Sequence, residues 1–400
     1  MVKFNRAKLS NGLTVIHEKR DVSVTTVMMG VRYGSMYESK EEKGVAHFME
    51  HLCFKGTEKR TAEEIAEVLE SKGGDLNAFT HEEITAYHVR LPSKHLELAI
   101  DVISDIFFNP TFPEEEFHRE SEVICEEIKM YKDNPRAHSM EMLKNNLYEQ
   151  PWGGFIAGSQ ETVKSMTQEQ LLAKHRSTYV PKNSVLCVVG NNEFEDVLEL
   201  AKKYINVQRE GESLADLDIK KLIMEGNEPR QGIVQTNLCL GAHFPSLLDK
   251  NRYAAELFNS ILGEGMSSRL FKEVREKRGL VYGVKSDIDM GRNYSYMLIF
   301  AGCDPKNKDE VIKICKQEFS RMKDLTEDEL RAAKETVIGS DLVHSEGSND
   351  MAINLIMEEF ATKAETVYEF ESRINEVSLS DVQELANNVE FAEFWIGPKE

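Results

Sequence analysis

Hydrophobic positions along this chain repeat in two rhythms, every second residue and every three to four residues, and the two alternate from end to end. Alternation over "NGLTVIHE" (11–18) and "VSVTTVMMGVRYGS" (22–35) predicts two strands joined by a turn-prone charged link. The apolar run "AHFMEHLCFKGT" (46–57) reads as a helix closed near Gly56. "TAEEIAEVLESKGG" predicts a second helix, which Thr61 can cap, Glu64 can complete as a capping box and Gly73-Gly74 can end. A strand ("EITAYHVRL"), two long helices ("SKHLELAIDVISDIFF" and "PEEEFHRESEVICEEIKMYK"), a further helix ("TQEQLLAKHRSTYV") and an apolar strand ("NSVLCVVGN") follow.

The pattern then fades through "QREGESLADLDIKKLIMEGNEPRQ", and residues 209–230 are the expected linker. Beyond it the logic restarts: a strand ("GIVQTNLCLGAHF"), helices ("RYAAELFNSILG" and "SSRLFKEVREKRG"), strands ("LVYGVKSDI" and "YSYMLIFAG"), then several long helices. "AEEIAEVLESKGGDLNAFT" and "SRLFKEVREKRGLVYGVKS" share one plan of amphipathic helix, Gly stop and strand. The expectation is an α+β fold of two similar domains related by duplication, 1–208 and 231–400, each a mostly antiparallel sheet packed with helices. A length of 400 residues agrees, since single cores stop growing near about 250–300 residues.

Composition narrows the function classes. Lys and Arg number 49 against 69 Asp and Glu, a net charge of −20, whereas nucleic-acid binding needs clustered cations. The six cysteines, scattered through apolar runs without a C-x-x-C pair, read as buried reduced thiols. The N-terminus lacks the continuous apolar core of a signal peptide and no segment is long enough to span a membrane, so the expected location is cytoplasmic.

The helix at 46–57 carries the most chemistry. Residues three and four apart share a helical face, so His47 and His51 point the same way with Glu50 beside them. This is H-x-x-E-H, the inverted form of the H-E-x-x-H zinc-protease motif. Two imidazoles one turn apart can both reach a zinc ion at about 2 Å, and the carboxylate between them can take a proton from an activated water. The flanking Val45, Ala46, Phe48, Met49, Leu52, Cys53 and Phe54 are apolar nearly all round, which predicts burial. Three polar groups buried without partners would cost about 1–3 kcal/mol each, more for a charge. A metal satisfies all three at once, as would a purely structural hydrogen-bond cluster.

Catalytic zinc needs a third protein ligand. In "FHRESEVICEEIKMY", placed at about 100° per residue, Phe117, Val123, Ile124, Ile128, Met130 and Tyr131 form a broad apolar arc. Glu120 and Glu127 fall inside that arc, and Glu122 and Glu126 on the opposite side. We take Glu127 as the third ligand and Glu120 as an acid that orients the ligands. "LGEGMSS" is no phosphate loop, lacking the Lys and a preceding strand. His81 and His88 have no second histidine at ligand spacing and read as ordinary strand or surface residues.

"GVAHFMEHLCFKGT", "ESEVICEEIKMYKDNP" and "LGEGMSSRLFKEVREKRGLVYGV" together resemble the pitrilysin family of zinc peptidases, in particular its short subunits similar to mitochondrial processing peptidase. The resemblance covers nearly the whole chain. It implies one Zn2+ per chain on His47, His51 and Glu127, with Glu50 as general base and Glu120 supporting activity. Ser121 departs from the basic residue that many relatives carry beside that glutamate. The resemblance also implies that Arg275 and Tyr282 reach substrate from the second domain, and that Asn77 and Ala78 bind substrate backbone as an added strand. Relatives of this length pair into chambers, which implies a homodimer acting on short or unfolded peptides, with no nucleic-acid or membrane partner. The family also holds non-catalytic subunits that scaffold larger complexes, and a zinc hydrolase of a non-peptide bond is a further alternative.

Overall fold

The computed structural model describes residues 3–211 and 214–399, so residues 212–213 of the expected linker lie outside the described residues. The chain forms two compact units. Unit 1 comprises Met1–Ile128, Phe155–Asp216 and His344–Val367; unit 2 comprises Lys129–Gly154, Leu217–Val343 and Tyr368–Glu400.

Unit 1 is built on a six-stranded sheet of β1 (Lys3–Lys8), β2 (Thr14–Lys19), β3 (Val24–Val31), β4 (Asp75–Thr80), β5 (Thr85–Pro92) and β6 (Ser184–Gly190). The spatial order is β1-β2-β6-β3-β5-β4, with only β2 and β6 parallel. One face packs against α1 (Val45–Cys53) and α3 (Leu96–Phe108). Val27, Val89, Leu52, Ile103 and Phe107 fill that core, and each such side chain stabilises by about 1.5–3 kcal/mol when fully buried. α2 (Ala62–Glu70) carries the capping box that its spacing predicts, with Thr61 Oγ1 accepting from the Glu64 amide and Glu64 Oε2 from the Thr61 amide.

Unit 2 has a five-stranded sheet of β7 (Glu225–Arg230), β8 (Thr236–His243), β9 (Val281–Met290), β10 (Ser295–Cys303) and β11 (Ala392–Pro398), in the order β7-β11-β8-β10-β9. Only β7 and β11 are parallel. Leaving β1 aside, both sheets follow one scheme, in which the first strand pairs with the fifth and the second lies between fifth and fourth. The helices Arg252–Gly263 and Lys308–Ser320 pack on one face, bringing Phe258 and Phe319 into one core with Leu240 and Ile299 of the sheet.

The opposite face of each sheet is covered by a helix from the other half of the chain. In unit 1 the helix Ser348–Ala361 brings Met351, Leu355 and Ile356 onto Ile16, Met28 and Cys187. In unit 2 this place is taken by α5 (Pro135–Leu147), packed on β8 and β11. Glycines permit the close approach. A Cβ at Gly30 in β3 would lie 2.6 Å from Ile356 Cδ1, and one at Gly241 in β8 would lie 2.8 Å from Leu143 Cδ2 and Leu147 Cδ1.

Several elements were not read from the sequence, among them the helix Phe194–Tyr204 and strand β11. β1 and α5 have weak periodicity, and the last six residues of the 209–230 stretch, "EGNEPR", form edge strand β7. An edge strand half in solvent needs backbone pairing more than an apolar face. All six cysteines are buried and none forms a disulfide. Among the described residues no helix is long and apolar enough to cross a membrane.

Candidate metal centre

α1 is buried on nearly every side, through Val45, Ala46, Phe48, Met49, Leu52 and Cys53. Only the stripe bearing His47, Glu50 and His51 remains half-buried. Gly44 precedes the helix without a side chain to cap it. The buried Glu38 carboxylate fills that role, accepting from the amides of Gly44 at 3.0 Å and Ala46 at 2.7 Å. Burial raises the Glu38 pKa to about 7, opposed by Lys43, whose Nζ lies 3.8 Å away, and by these two amides; in its charged form the group suits the positive end of a helix.

α4 (Glu114–Asp133) packs against α1, and the Phe48 and Phe117 rings stack at 5.1 Å between centroids. One turn beyond Phe117 the buried Glu120 reaches His51, and two turns further along Glu127 faces both imidazoles. The buried arc of α4 is narrower than its sequence predicts. Phe117, Glu120, Ser121, Ile124 and Cys125 are buried, whereas Val123 and Met130 are 46% and 62% exposed and Tyr131 is also exposed. Glu122 and Glu126 face solvent as expected.

Glu127 Oε2 lies 3.7 Å from His47 Nε2 and 3.6 Å from His51 Nε2. Among the described residues these are the three His, Cys, Asp or Glu side chains whose ligand atoms gather within 4.8 Å of one another. Those gaps are too long for hydrogen bonds. Two atoms each about 2 Å from one tetrahedral ion sit about 3.3 Å apart, so small shifts would let all three hold one cation. The proton inventory points the same way. His51 Nδ1 lies 2.9 Å from Glu120 Oε2 and donates to it, so that an imidazole carrying one proton turns its Nε2 lone pair toward the Glu127 carboxylate. Two acceptors facing each other repel unless a proton or a metal comes between them.

Charge states follow the packing. Burial, then the neighbouring His51, lowers the His47 pKa to about 3, so this imidazole stays neutral and able to ligate. Burial pushes the Glu120 carboxyl up, but hydrogen bonds from His51 and from Lys55 Nζ at 2.7 Å outweigh it and leave the group below its ordinary range. Burial raises the Glu50 carboxyl, opposed by a hydrogen bond from Thr80 Oγ1 to Glu50 Oε2 at 2.5 Å. A carboxylate with raised proton affinity beside such a donor set suits proton transfer.

Asn77 and Ala78 lie on β4, whose single neighbour in the sheet is β5, and the Ala78 amide donates to Asn77 Oδ1 at 2.8 Å. Arg275 and Tyr282 belong to unit 2 and meet each other there: the Arg275 guanidinium lies 4.8 Å from the Phe271 ring centre and 5.8 Å from that of Tyr282, which is 82% exposed on edge strand β9. Sequence reading missed Lys55, Thr80 and Glu38. Lys55 follows His51 at i+4, a spacing that could have flagged it. Thr80 and Glu38 carry no such signal.

Known proteins resemble this chain throughout. A family model described as insulinase, peptidase family M16, matches residues 13–159, and one described as the peptidase M16 inactive domain matches 165–337. A Bacillus subtilis protein named an uncharacterized zinc protease is 31% identical over 390 residues, covering 96% of this chain and 95% of its own. A Rickettsia felis protein of similar name is 34% identical over 344 residues, covering 85% of this chain and 83% of its own. The fold matches the crystal structure of a protease from Helicobacter pylori at a TM-score of 0.92 and 23% identity, over 100% of both chains. It also matches a peptidase M16 inactive domain structure from Pseudomonas fluorescens at 0.91 and 22% identity, over 100% of this chain and 98% of that one.

Proposed function

The chain belongs to the insulinase family of peptidases, family M16, and from that premise we propose that it is a zinc-dependent endopeptidase with one zinc site per chain, held by His47, His51 and Glu127. The observation that carries this reading is the inward-facing donor set, two imidazole nitrogens and a carboxylate with no hydrogen bond among them. Zinc, when bound, supplies Lewis acidity that polarises a scissile carbonyl and lets water attack near neutral pH.

The chain's own residues do the rest. Glu50 takes the water's proton and passes it to the leaving amine. Glu120, charged and gripped by Lys55, fixes the His51 tautomer. The open edge of β4 at Asn77 and Ala78 takes substrate backbone as an added strand, a mode that tolerates varied side chains. Arg275 and Tyr282 are donors suited to the oxyanion that develops on the carbonyl. On this reading residues 1–208 are the catalytic domain, 209–230 a linker and 231–400 a zinc-free partner domain, with the two exchanged helices as departures from a linear split. Two copies would form a chamber in the cytoplasm that admits short or unfolded peptides.

The test is hydrolysis of an unstructured fluorogenic peptide, with zinc measured by mass spectrometry. Wild type should carry one zinc and lose turnover on chelation, and Glu50→Gln should keep zinc while losing about 10²–10⁴-fold in kcat. Full zinc loading without peptide hydrolysis in any form would favour the alternative, a non-catalytic assembly subunit. Hydrolysis unaffected by chelation would overturn the zinc mechanism.

A further inference from the structure

A general base must aim a lone pair at a particular water, so something has to hold its carboxylate. Glu50 sits on α1, but the group that grips it comes from the sheet. Thr80 closes strand β4, and its hydroxyl donates to Glu50 Oε2 at 2.5 Å. We propose that Thr80 is the positioning residue for the Glu50 carboxylate, pinning one oxygen so that the other is presented to water. This inference rests on the reading of Glu50 as general base.

Proton counting supports a committed donor. A threonine hydroxyl has one proton to give. The buried Thr85, directly opposite Thr80 in the β4–β5 register, spends its proton on the Tyr33 carbonyl at 2.9 Å. Its oxygen lies 3.4 Å from Thr80 Oγ1 and can steady that hydroxyl without competing for Glu50. A carboxylate has no proton to donate, so the Thr80 proton must point toward Glu50. β4 is paired with β5 over its whole length, from Asp75 opposite Arg90 to Thr80 opposite Thr85, and a donor on a paired strand is held more tightly than one on a loop.

The placement also joins two parts of the proposed mechanism. The strand that carries Thr80 is the one whose edge offers Asn77 and Ala78 to substrate backbone. A peptide added along that edge would order the strand that aims the base, so binding and base orientation share one element. The bland account of Thr80 is strand propensity, because β-branched residues suit strands. The two accounts separate sharply: valine has the same shape and comparable strand preference but no hydroxyl.

The experiment compares full-length wild type, Thr80→Val, Thr80→Ser and Glu50→Gln. If Thr80 positions the base, T80V loses about 10- to 100-fold in kcat, while KM for an unstructured peptide, zinc content and thermal midpoint stay near wild type. T80S should recover most of the loss, since it restores the hydroxyl alone. A second readout needs neither metal nor turnover. In crystals of metal-free protein, the Glu50 carboxylate should leave its wild-type orientation in T80V and keep it in T80S. Wild-type kcat in T80V while E50Q is inactive would overturn the inference, as would a Glu50 carboxylate that does not move. If E50Q itself retains turnover, the general-base reading fails, and the crystallographic orientation still decides whether Thr80 holds the carboxylate.

Discussion

The two units share a strand scheme and a reciprocal exchange of helices, yet among the described residues only unit 1 gathers a His, His, Glu set that could hold a metal. In unit 1 the helix after β3 is α1, whose half-buried face holds His47, Glu50 and His51. In unit 2 the helix in that place, Arg252–Gly263, buries Asn259 and Ser260 on its inner side. Each unit then sends a hydroxyl from the following strand to that helix. Thr80 donates to the Glu50 carboxylate in unit 1, and the buried Ser286 donates to Asn259 Oδ1 at 2.6 Å in unit 2. The same scaffold thus supports an ionisable site in one copy and a neutral amide–hydroxyl pair in the other. Fold supplies positions, and a handful of side chains decide what those positions do.

Metal removal should separate the units most strongly. Chelation should abolish turnover and lower the resistance of α1 and α4 to amide hydrogen exchange, while the helix Arg252–Gly263 keeps its protection. A ligand at a hundred times its dissociation constant stabilises by about 2.7 kcal/mol, enough to read by mass spectrometry. Equal loss of protection in both units would mean that the metal stabilises the molecule as a whole.

Acid offers a second contrast. Burial lowers the His175 pKa to about 3, partly offset by its hydrogen bond to the Phe107 carbonyl at 2.9 Å. Unfolded, this residue takes up a proton near its ordinary value of 6.5. Between about pH 6.5 and 3 the unfolded chain therefore binds more protons, and stability falls as pH falls, by about 1.4 kcal/mol per pH unit for this one group. Unit 1 also holds His47 at about 3, whereas His138 and His243 of unit 2 are lowered to no such extent. In metal-free protein titrated from pH 7 to 5, amide protection factors in unit 1, each corrected for the intrinsic exchange rate at its pH, should fall first. His175→Gln should flatten the slope; an unchanged slope would remove His175 from the account.

The smallest effects test the exchanged helices. Gly30→Val should push against Ile356, and Gly241→Val against Leu143 and Leu147. Overpacking of this kind costs about 1–3 kcal/mol. Denaturant midpoints should drop by similar amounts in both variants. A neutral result in one of them would show that the two exchanges are not equivalent supports.

Much of unit 1 was readable along the chain because its information is local. His47, Glu50 and His51 share a face through the helical repeat alone, Glu120 and Glu127 share theirs for the same reason, and Thr61 with Glu64 forms a box within one turn. The α4 arc was legible only in part. Val123 and Met130 are apolar but exposed, because periodicity says which residues could be buried and not how wide a neighbour covers them.

By itself, then, the order of residues determined the alternation of strands and helices, the shared plan of the two halves and the face of α1 that His47, Glu50 and His51 share. Those follow from backbone geometry, which acts over a few residues. Tertiary structure alone decided that α5 and the helix Ser348–Ala361 trade units, that "EGNEPR" becomes a strand, and that Thr80 and Glu38 grip α1 from 30 residues away or from outside the helix. Such contacts join positions whose spacing carries no signal. They are selected by the free energy of burying whole surfaces and satisfying every polar group left inside.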